Sequence, residues 1–503
     1  MTKVSLVLSL LTIFFLMDRA TMQNSDLYHE PYRPQYHYSP PCRWMNDPNG
    51  MVYADGEYHL FYQYNPDDVV WGPMHWGHAV SSDLIHWTTL PIALAPDALG
   101  PIWSGSVVVD ARNTSGLVPG GGLVALYSYE NQTQGAAYSS DKGRTWTMYA
   151  GNPILPALET DFRDPKVFWH EATQRWVMVI AAKKVIKIFT STDLLRWEFA
   201  SDFADHNFYG GVWEVPDLFP LMLNGQEKWV LIVSINPGGP AGGSATRYYI
   251  GRFDGHTFTD ENPHQVTWLD YGQDNYAGTT WNNAPDDRRL FIGWMNNWVY
   301  ASKIPTSVWR GAATMIHEFS LRETTEGVRM VQAPVPELKQ LRTQIGRWSD
   351  LTIDGTRVLD GFSGQQLEII AEFELGSAER FGFDLMMKDG ESVRVLYHVP
   401  SSQLIVTRPA SMLEGINPIA VAPLKAEGHR VRMHIFVDLS SVEVFGNDGL
   451  VSLTSQVFPD PSADGAALFA DKGSVTLSNL EVYAMDSIWP TAAENATYEE
   501  LCR

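Results

Sequence analysis

The sequence predicts an all-β protein, a five-bladed β-propeller followed by a C-terminal β-sandwich. Short apolar or alternating runs bounded by Gly, Pro, Asn and Asp follow one another along the chain, and helical periodicity is scarce. A Ser-Ser/Thr-Asp turn followed by Trp recurs at Asp83, Asp141 and Asp193, about every 50 to 60 residues. About 310 residues at that period make about five blades. Three coincidental turns are the alternative, but the shared Trp favours a repeat.

The strand signals of the first part share a bounded apolar run. They lie at residues 58–64, 122–129, 175–181, 228–235 and 289–294. No helical run of a dozen residues separates them, so the crossover helices of a doubly wound sheet or a (β/α) barrel are missing.

The tryptophans divide the chain into two domains. Sixteen of the 18 lie at or before Trp309, and none falls between 349 and 488. We predict a propeller over 25–336, a Pro-containing junction near 331–338, and a sandwich over 349–490. The strand runs of the second part are separated by Gly/Asp turns, as in an antiparallel sandwich, and lie at 366–373, 393–398, 431–438 and 442–445.

The N-terminal segment predicts secretion. Lys3, an apolar run over 4–16 and Ala20 have the form of a signal peptide, residues 1–20, and the run is too short to span a bilayer. Sequons at Asn113, Asn131 and Asn495 fit a secreted glycoprotein. Cys42 and Cys502 can form one bridge or remain two free thiols.

Composition narrows the class of ligand. The 503 residues carry a net charge of −22, and the pI is near 5.0, which argues against a nucleic-acid partner because phosphates are bound chiefly by clustered Lys and Arg. Charged residues make up only 19% and aromatic residues 12%. Aromatic surfaces of low charge suit neutral sugars, although most such rings serve as core. No membrane partner is predicted.

Metal and cofactor chemistry has little support. His75-x-x-His78 has no third ligand nearby, and two cysteines exclude a thiolate zinc site. The Gly-rich stretch 237–244 lacks a Walker Lys, and no Gly-x-Gly-x-x-Gly opens a helix. No Gly-x-Ser-x-Gly elbow stands out either. We therefore expect no cofactor and no metal.

Three carboxylates are the candidates for chemistry. Asp47 and Asp164 each precede a proline, and Glu214 lies two residues before Pro216. Their separations approximate two blades and one blade, so we expect all three to face the central funnel. Glycoside hydrolysis requires a pair of carboxyl groups, one as nucleophile or base and one as proton donor. A single Asp-Pro on its own would indicate a solvent-exposed turn rather than a catalytic carboxylate.

A series of motifs resembles, in order, that of glycoside hydrolase family 32, the secreted β-fructofuranosidases that include invertases, inulinases and levanases. The motifs are WMNDPNG at 44–50, FYQYNP at 61–66, WGPMHWGHA at 71–79, WSGS at 103–106, FRDPKV at 162–167, WEVPDLF at 213–219, NPGGPAGGS at 236–244, DYGQDNYAGTTW at 270–281, GWMNNW at 293–298, IPTSVWR at 304–310 and FVDLSSVEVFGNDG at 436–449. The resemblance covers nearly the whole chain after the leader.

The resemblance implies a five-bladed propeller with a sandwich and hydrolysis with retention. It implies Asp47 as nucleophile, Glu214 as acid/base, held protonated in a partly apolar setting, and Asp164 as the residue that holds fructosyl hydroxyls. Further residues match fructose-pocket positions, namely Asn46, Gln63, Trp71, Ser104 and Arg163, and the implied pocket walls are Trp44, Trp103, Trp294 and Trp298.

Three departures from the family pattern are present. Val215 stands where Cys often follows the acid/base Glu, which removes a thiol neighbour. Asn275 stands where Phe is common and predicts a different pocket rim. Val-Thr-Arg-Pro at 406–409 replaces a usual Val-Asp-Arg, which weakens the inference of a domain contact there but not the inference of catalysis.

The sequence therefore predicts a secreted, exo-acting β-fructosidase whose partner is sucrose or a fructan. A carbohydrate-binding protein without turnover is the alternative, which the intact Asp47, Asp164 and Glu214 disfavour. A sialidase-like propeller would need an Arg cluster, and none is evident. The choice among sucrose, inulin and levan and the oligomeric state stay open.

Overall fold

A computed structural model describes residues 27–207, 210–490 and 502. The predicted leader and Asn495 lie outside these residues. Strands dominate, with short 3-10 turns at Pro285–Asp287, Ala301–Lys303 and Pro336–Leu341. In the described part of the chain, no helix is long and apolar enough to cross a membrane.

Five small sheets form the propeller blades, each a run of consecutive antiparallel strands. In chain order the blades are β1 Arg43–Ala54, β2 Glu57–Asn65, β3 His75–Ser81 and β4 Thr88–Leu94; β5 Ile102–Val109, β6 Leu123–Tyr129, β7 Gln134–Ser139 and β8 Thr147–Met148; β9 Phe162–His170, β10 Arg175–Ala182, β11 Val185–Ser191 and β12 Glu198–Phe203; β13 Val212–Leu223, β14 Gln226–Asn236, β15 Ala245–Phe253 and β16 Phe258–Asp260; β17 Tyr276–Thr280, β18 Leu290–Trp294, β20 His317–Thr324 and β21 Gly327–Pro334. The short strand β19, Trp309–Arg310, pairs in parallel with β1.

The ring closes through the first strand of each blade. Each of these strands contacts the first strand of the next blade, and β1 contacts β17. Apolar side chains fill the spaces between neighbouring blades, as where β10 (RWVMVIAA) packs against β14. Because such strands are covered on both faces, they are continuous apolar runs rather than alternating ones. The predicted five-bladed propeller is confirmed.

The recurring turn joins the last two strands of the first three blades. Asp83 Oδ1 accepts the backbone N–H groups of Ile85 and His86 at 2.9 and 2.8 Å, and Asp193 repeats the arrangement. Asp141 accepts the N–H of Thr145 at 2.9 Å. A short side chain that caps its own turn explains why Asp recurs there.

The second part is one curled, ten-stranded antiparallel sheet that forms the sandwich. Its strands are β22 Arg342–Arg357, β23 Leu367–Glu374, β24 Arg380–Lys388, β25 Glu391–His398, β26 Gln403–Thr407, β27 Ile419–Pro423, β28 Arg430–Asp438, β29 Ser441–Gly446, β30 Val451–Gln456 and β31 Gly465–Met485. The long strand β31 pairs with β22, β23 and β24, so it runs through both layers around one apolar core. The sandwich is confirmed, and the exact domain limits stay predictions.

Cys42 and Cys502 form a disulfide, which decides between the two alternatives left by the sequence. Their Cα atoms lie 5.9 Å apart, across a sequence separation of 460. Cys42 directly precedes β1, so the bond ties a residue beyond the sandwich to the first strand of the propeller. A cross-link over so long a loop restricts the unfolded chain strongly.

We expect the double variant Cys42→Ser/Cys502→Ser to lose about 2 to 4 kcal/mol of unfolding free energy, because the unfolded chain regains the freedom that the bond removes. Denaturant unfolding of both proteins with and without reductant measures this. Reductant should lower the stability of the wild type to that of the variant and leave the variant unchanged. Equal stability of the oxidised wild type and the variant would contradict the expectation.

Candidate active site

A cavity of about 350 Å³ opens at one end of the ring. Its volume is in the range of small-molecule sites. Its walls come from all five blades and are formed by Asn46, Asp47, Gln63, Trp71, Trp103, Ser104, Gln132, Asp161, Arg163, Asp164, Glu214, Asn236, Tyr276 and Trp298. The three predicted carboxylates thus meet in one place.

A β-bulge lies at the site in the first strand of every blade. The strand register shifts in or beside the segments that carry Asp47, Ser104, Asp164, Glu214 and Tyr276. A bulge turns a side chain away from the regular alternation and strengthens the local twist. Five bulges at one end of the ring therefore aim five polar side chains into the same cavity.

The backbone of three of these bulges is held in the left-handed region. Asp164 has φ of 66°, Val215 of 43° and Ala277 of 52°, and the first two are each followed by a proline. A proline there removes an N–H that the interrupted ladder cannot use. For the β-branched Val215 this conformation is costly, and such strain is typical of functional sites.

Asp47 lines the cavity, and both of its carboxyl oxygens are hydrogen-bonded. Asn46 Nδ2 donates to Oδ1 at 2.9 Å and Ser104 Oγ to Oδ2 at 2.9 Å. Burial raises the pKa of Asp47 to about 6 against these bonds, and the charge of Glu214 adds to the rise. Trp44 Nε1 donates to Asn46 Oδ1 at 2.7 Å and so fixes the amide that faces Asp47.

Glu214 lines the same cavity and lies between two donors. Arg163 Nη2 donates to Oε1 at 2.9 Å, and the Tyr276 hydroxyl donates to Oε2. The sequence predicted a partly apolar setting for this carboxyl. The setting is polar instead, because Arg163 and Tyr276 reach it from neighbouring blades. Burial and the charge of Glu214 keep the pKa of Tyr276 well above 10, so this phenol stays a donor.

Asp164 is buried between these groups. Its Oδ2 accepts the N–H of Val215 at 3.1 Å and lies 3.9 Å from Arg163 Nε. Burial raises the pKa of Asp164 to about 7, the charge of Arg163 opposes the rise, and the charges of Asp47 and Glu214 add to it. The Arg163 guanidinium thus contacts three carboxyl groups, those of Asp161, Asp164 and Glu214.

With this geometry established, comparison with known sequences identifies the family. The profile described as "Glycosyl hydrolases family 32 N-terminal domain" matches residues 37–334, and "Glycosyl hydrolases family 32 C terminal" matches 337–484. The chain belongs to glycosyl hydrolase family 32. The resemblance seen in the sequence is confirmed.

Known relatives of this family 32 chain include two levanases. That of Bacillus subtilis (strain 168) is 49% identical over 504 residues, covering 96% of this chain and 74% of its own. That of Bacillus sp. (strain L7) is 42% identical over 500 residues, and the match spans 92% of this chain but only 53% of the relative. The solved exo-inulinase from Aspergillus awamori superposes with a TM-score of 0.88 at 36% identity, covering 92% of this chain and 100% of the other.

The predicted pocket tryptophans of the family 32 chain divide into two groups. Trp71, Trp103 and Trp298 line the cavity, and Trp71 is 44% exposed at its mouth. Trp44 and Trp294 do not line it. They are buried behind Trp298, with ring centroids 6.1 and 4.9 Å from its own, so they support the wall rather than form it.

Four lining residues were not predicted individually: Gln132, Asp161, Asn236 and Tyr276. Tyr276 lies inside the family-like stretch 270–281, so the motif itself was the available signal. The expectation of an altered rim at Asn275 was wrong. Asn275 is buried and its amide donates to Asp270 at 3.4 Å, because the bulge points Tyr276 into the cavity and Asn275 away from it.

The histidine pair noted in the sequence does not point to one place. His78 is buried and contacts His59, with ring nitrogens 3.0 Å apart, whereas the ring of His75 bonds the carbonyl of Pro73. Among the described residues, no group of three or more His, Cys, Asp and Glu side chains could hold a metal ion.

We expect Asp164→Asn to raise thermal stability above pH 7 while it impairs activity. A carboxyl that titrates near 7 when folded and near 3.9 when unfolded stabilises the fold fully below about pH 4. That stability is lost as the pH rises through 7. The amide that replaces the carboxyl keeps an acceptor for the N–H of Val215 and carries no charge. The unfolding free energy of the variant should therefore exceed that of the wild type by about 1 to 3 kcal/mol at pH 8.

Melting temperatures between pH 4 and pH 8 measure the effect. The gap between variant and wild type should widen with pH. Asp161→Asn is the matched control, since Asp161 is 34% exposed and pairs with the same Arg163 at 2.8 Å. A constant gap, or a less stable Asp164→Asn variant at pH 8, would contradict the burial argument.

Proposed function

We propose that this chain is a retaining glycoside hydrolase that releases terminal β-D-fructofuranosyl residues from sucrose or fructans. The observation that carries the proposal is the convergence of Asp47 and Glu214, from two blades, in one cavity of a family 32 propeller. Glycoside hydrolysis requires a pair of carboxyl groups in a cavity that can hold a sugar. The names of the relatives, levanase and exo-inulinase, support fructans as substrates.

In the proposed reaction Asp47 attacks the anomeric C2 of the fructosyl unit. The C2–O bond breaks as Glu214 gives its proton to the departing oxygen. The product of this first step is a covalent fructosyl–Asp47 ester. Glu214, now ionised, takes a proton from water, which attacks C2, releases fructose and restores Asp47. Arg163 and Tyr276 hold the two oxygens of Glu214 in place for both steps.

The remaining lining residues supply recognition in this proposal. Asp164 and Asn46 are placed to accept and donate hydrogen bonds to fructosyl hydroxyls, while Trp71 and Trp103 offer ring faces at the mouth. The ring centroids of those two tryptophans lie 6.5 Å apart, at a steep angle. Such a wall suits a neutral sugar.

Secretion belongs to the proposal as well. The predicted leader 1–20 motivates it, and the disulfide between Cys42 and Cys502 supports it, because such bonds persist in oxidising compartments.

Product analysis tests the proposed function. The purified chain is incubated with sucrose, raffinose, inulin and levan, and products are separated over time. An exo-acting enzyme gives fructose as the first product from every substrate it accepts. Fructan oligomers as first products would contradict exo action, and sugar binding without any product would favour the non-catalytic alternative. The Asp47→Ala variant, purified in parallel, controls for contaminating activity.

A further inference from the structure

The segment that precedes Tyr276 lies against the sandwich. The N–H of Tyr271 donates to the carbonyl of Ser452 at 2.9 Å, and that of Asp274 to the carbonyl of Thr454 at 3.2 Å. Gly272 fits because a Cβ there would lie 2.0 Å from the Thr454 oxygen. Residues 271–274 therefore follow strand β30 as an added edge, although they belong to the propeller.

One buried arginine of the sandwich holds this segment. Arg408 Nη1 donates to Asp274 Oδ2 at 2.8 Å and Nη2 to Gln273 Oε1 at 2.6 Å. The N–H of Gln456 also donates to Asp274 Oδ2 at 2.8 Å, and the Tyr300 hydroxyl bonds its other oxygen. The departure at 406–408 does not remove the domain contact. Arg408 makes the contact itself, without the neighbouring aspartate.

The held segment leads directly into the site. Two residues after Asp274, Tyr276 begins strand β17 and donates to Glu214. The carbonyl of Gln273 accepts the side-chain amide of Asn297 at 2.7 Å, and the next residue, Trp298, lines the cavity. The contacts of Arg408 thus reach two walls of the cavity through short, buried links.

The energetics of burial make this link stiff. Asp274 is fully buried, and a buried carboxylate without a charged partner is strongly unfavourable. Arg408 is buried as well and offers a rigid two-pronged fork that fits Asp274 and Gln273 together. Loss of the fork leaves Asp274 to find other partners, which requires the segment before Tyr276 to move.

We propose that Arg408 and Asp274 are positioning residues, through which the sandwich sets the place of the Tyr276 hydroxyl against Glu214. The proposal rests on the proposed function, in which Glu214 gives and takes the proton. It assigns the second domain a part in catalysis although none of the residues described for that domain lines the cavity.

A double-mutant cycle tests it on the full-length chain with sucrose. Arg408→Gln should lower kcat by about 10-fold or more and change KM by less than about three-fold, because a misplaced acid slows chemistry more than binding. In the Tyr276→Phe background Arg408→Gln should cause little further loss, since the hydroxyl that it positions is gone. Arg408→Lys, which keeps the charge but not the fork, should recover part of kcat.

His37→Gln is the matched control for a general loosening of the two domains. His37 lies in the same interface, where its ring bonds Asp438 at 2.8 Å and Glu443 at 2.7 Å. We expect it to lower the melting temperature yet leave kcat within about two-fold. If Arg408→Gln does not fold, Asp274→Asn replaces it, because the amide keeps the shape and loses the charge.

Losses that multiply in the double variant, or an unchanged kcat in Arg408→Gln, would overturn the proposal. Wild-type turnover of sucrose, inulin or levan in the same assay decides the proposed function separately. A crystal structure of Arg408→Gln gives a readout that does not depend on turnover. The Tyr276 hydroxyl should have left hydrogen-bond distance of Glu214, and an unchanged contact would overturn the positioning role.

Discussion

We expect Asp47→Ala to lower kcat on sucrose by at least about four orders of magnitude, the largest effect of any single substitution in this chain. A carboxylate oxygen of Asp47 forms the bond to C2, and none of the other described residues that line the cavity offers a nucleophile in the same place. The variant should still fold, because removing a carboxyl whose pKa burial raises to about 6 relieves a desolvation cost at neutral pH.

The raised pKa of Asp47 also sets the pH dependence of the wild type. Asp47 must be ionised to attack, so kcat/KM should fall as the pH drops through about 6. Initial rates from pH 3.5 to pH 8 show whether this acidic limb lies near 6. A variant with kcat within 100-fold of the wild type, and a melting temperature that shows it is folded, would remove Asp47 from the role of nucleophile.

The second large effect is expected at Glu214. Glu214→Ala should lower kcat on sucrose by about two to four orders of magnitude, the usual contribution of a general acid. With an aryl β-fructofuranoside, whose phenolate leaves without protonation, the first chemical step should lose far less. Burst kinetics separate the two steps, and the second should stay slow because water lacks its base.

Two comparisons sharpen that result. Tyr276→Phe keeps the ring and removes one donor to Glu214, so it should fall between the wild type and Glu214→Ala. Azide, a nucleophile that needs no general base, should accelerate the second step of Glu214→Ala alone. Equal losses with sucrose and the aryl fructoside would place the proton donor elsewhere.

Much of the fold could be predicted because its signals are local. In the turns at Asp83, Asp141 and Asp193, the Asp carboxyl accepts backbone N–H groups of the same turn. The blade repeat is therefore recognisable from the sequence. A proline one residue after Asp47 and Asp164, and two residues after Glu214, likewise marks the bulges at these three positions. The convergence of those three residues required only that blades repeat.

What could not be predicted depends on contacts between distant residues. Tyr276 faces Glu214 and Asn275 does not, and the register shift that follows Tyr276 in β17 has no proline to mark it in the sequence. Trp44 and Trp294 lie behind the wall because Trp298 occupies the space in front of them. The two donors to Glu214, Arg163 and Tyr276, lie on other blades. The partner of Arg408, Asp274, lies in the other domain.

The anomeric form of the first product tests the central claim most directly. Proton NMR during the first seconds to minutes of sucrose hydrolysis, at a temperature where mutarotation is slow, records which fructose anomer appears before equilibration. A double displacement through Asp47 with Glu214 as acid and base predicts β-D-fructofuranose first. If the α-anomer appears first, inversion has occurred, Asp47 is not a nucleophile, and the roles assigned to both carboxylates are wrong.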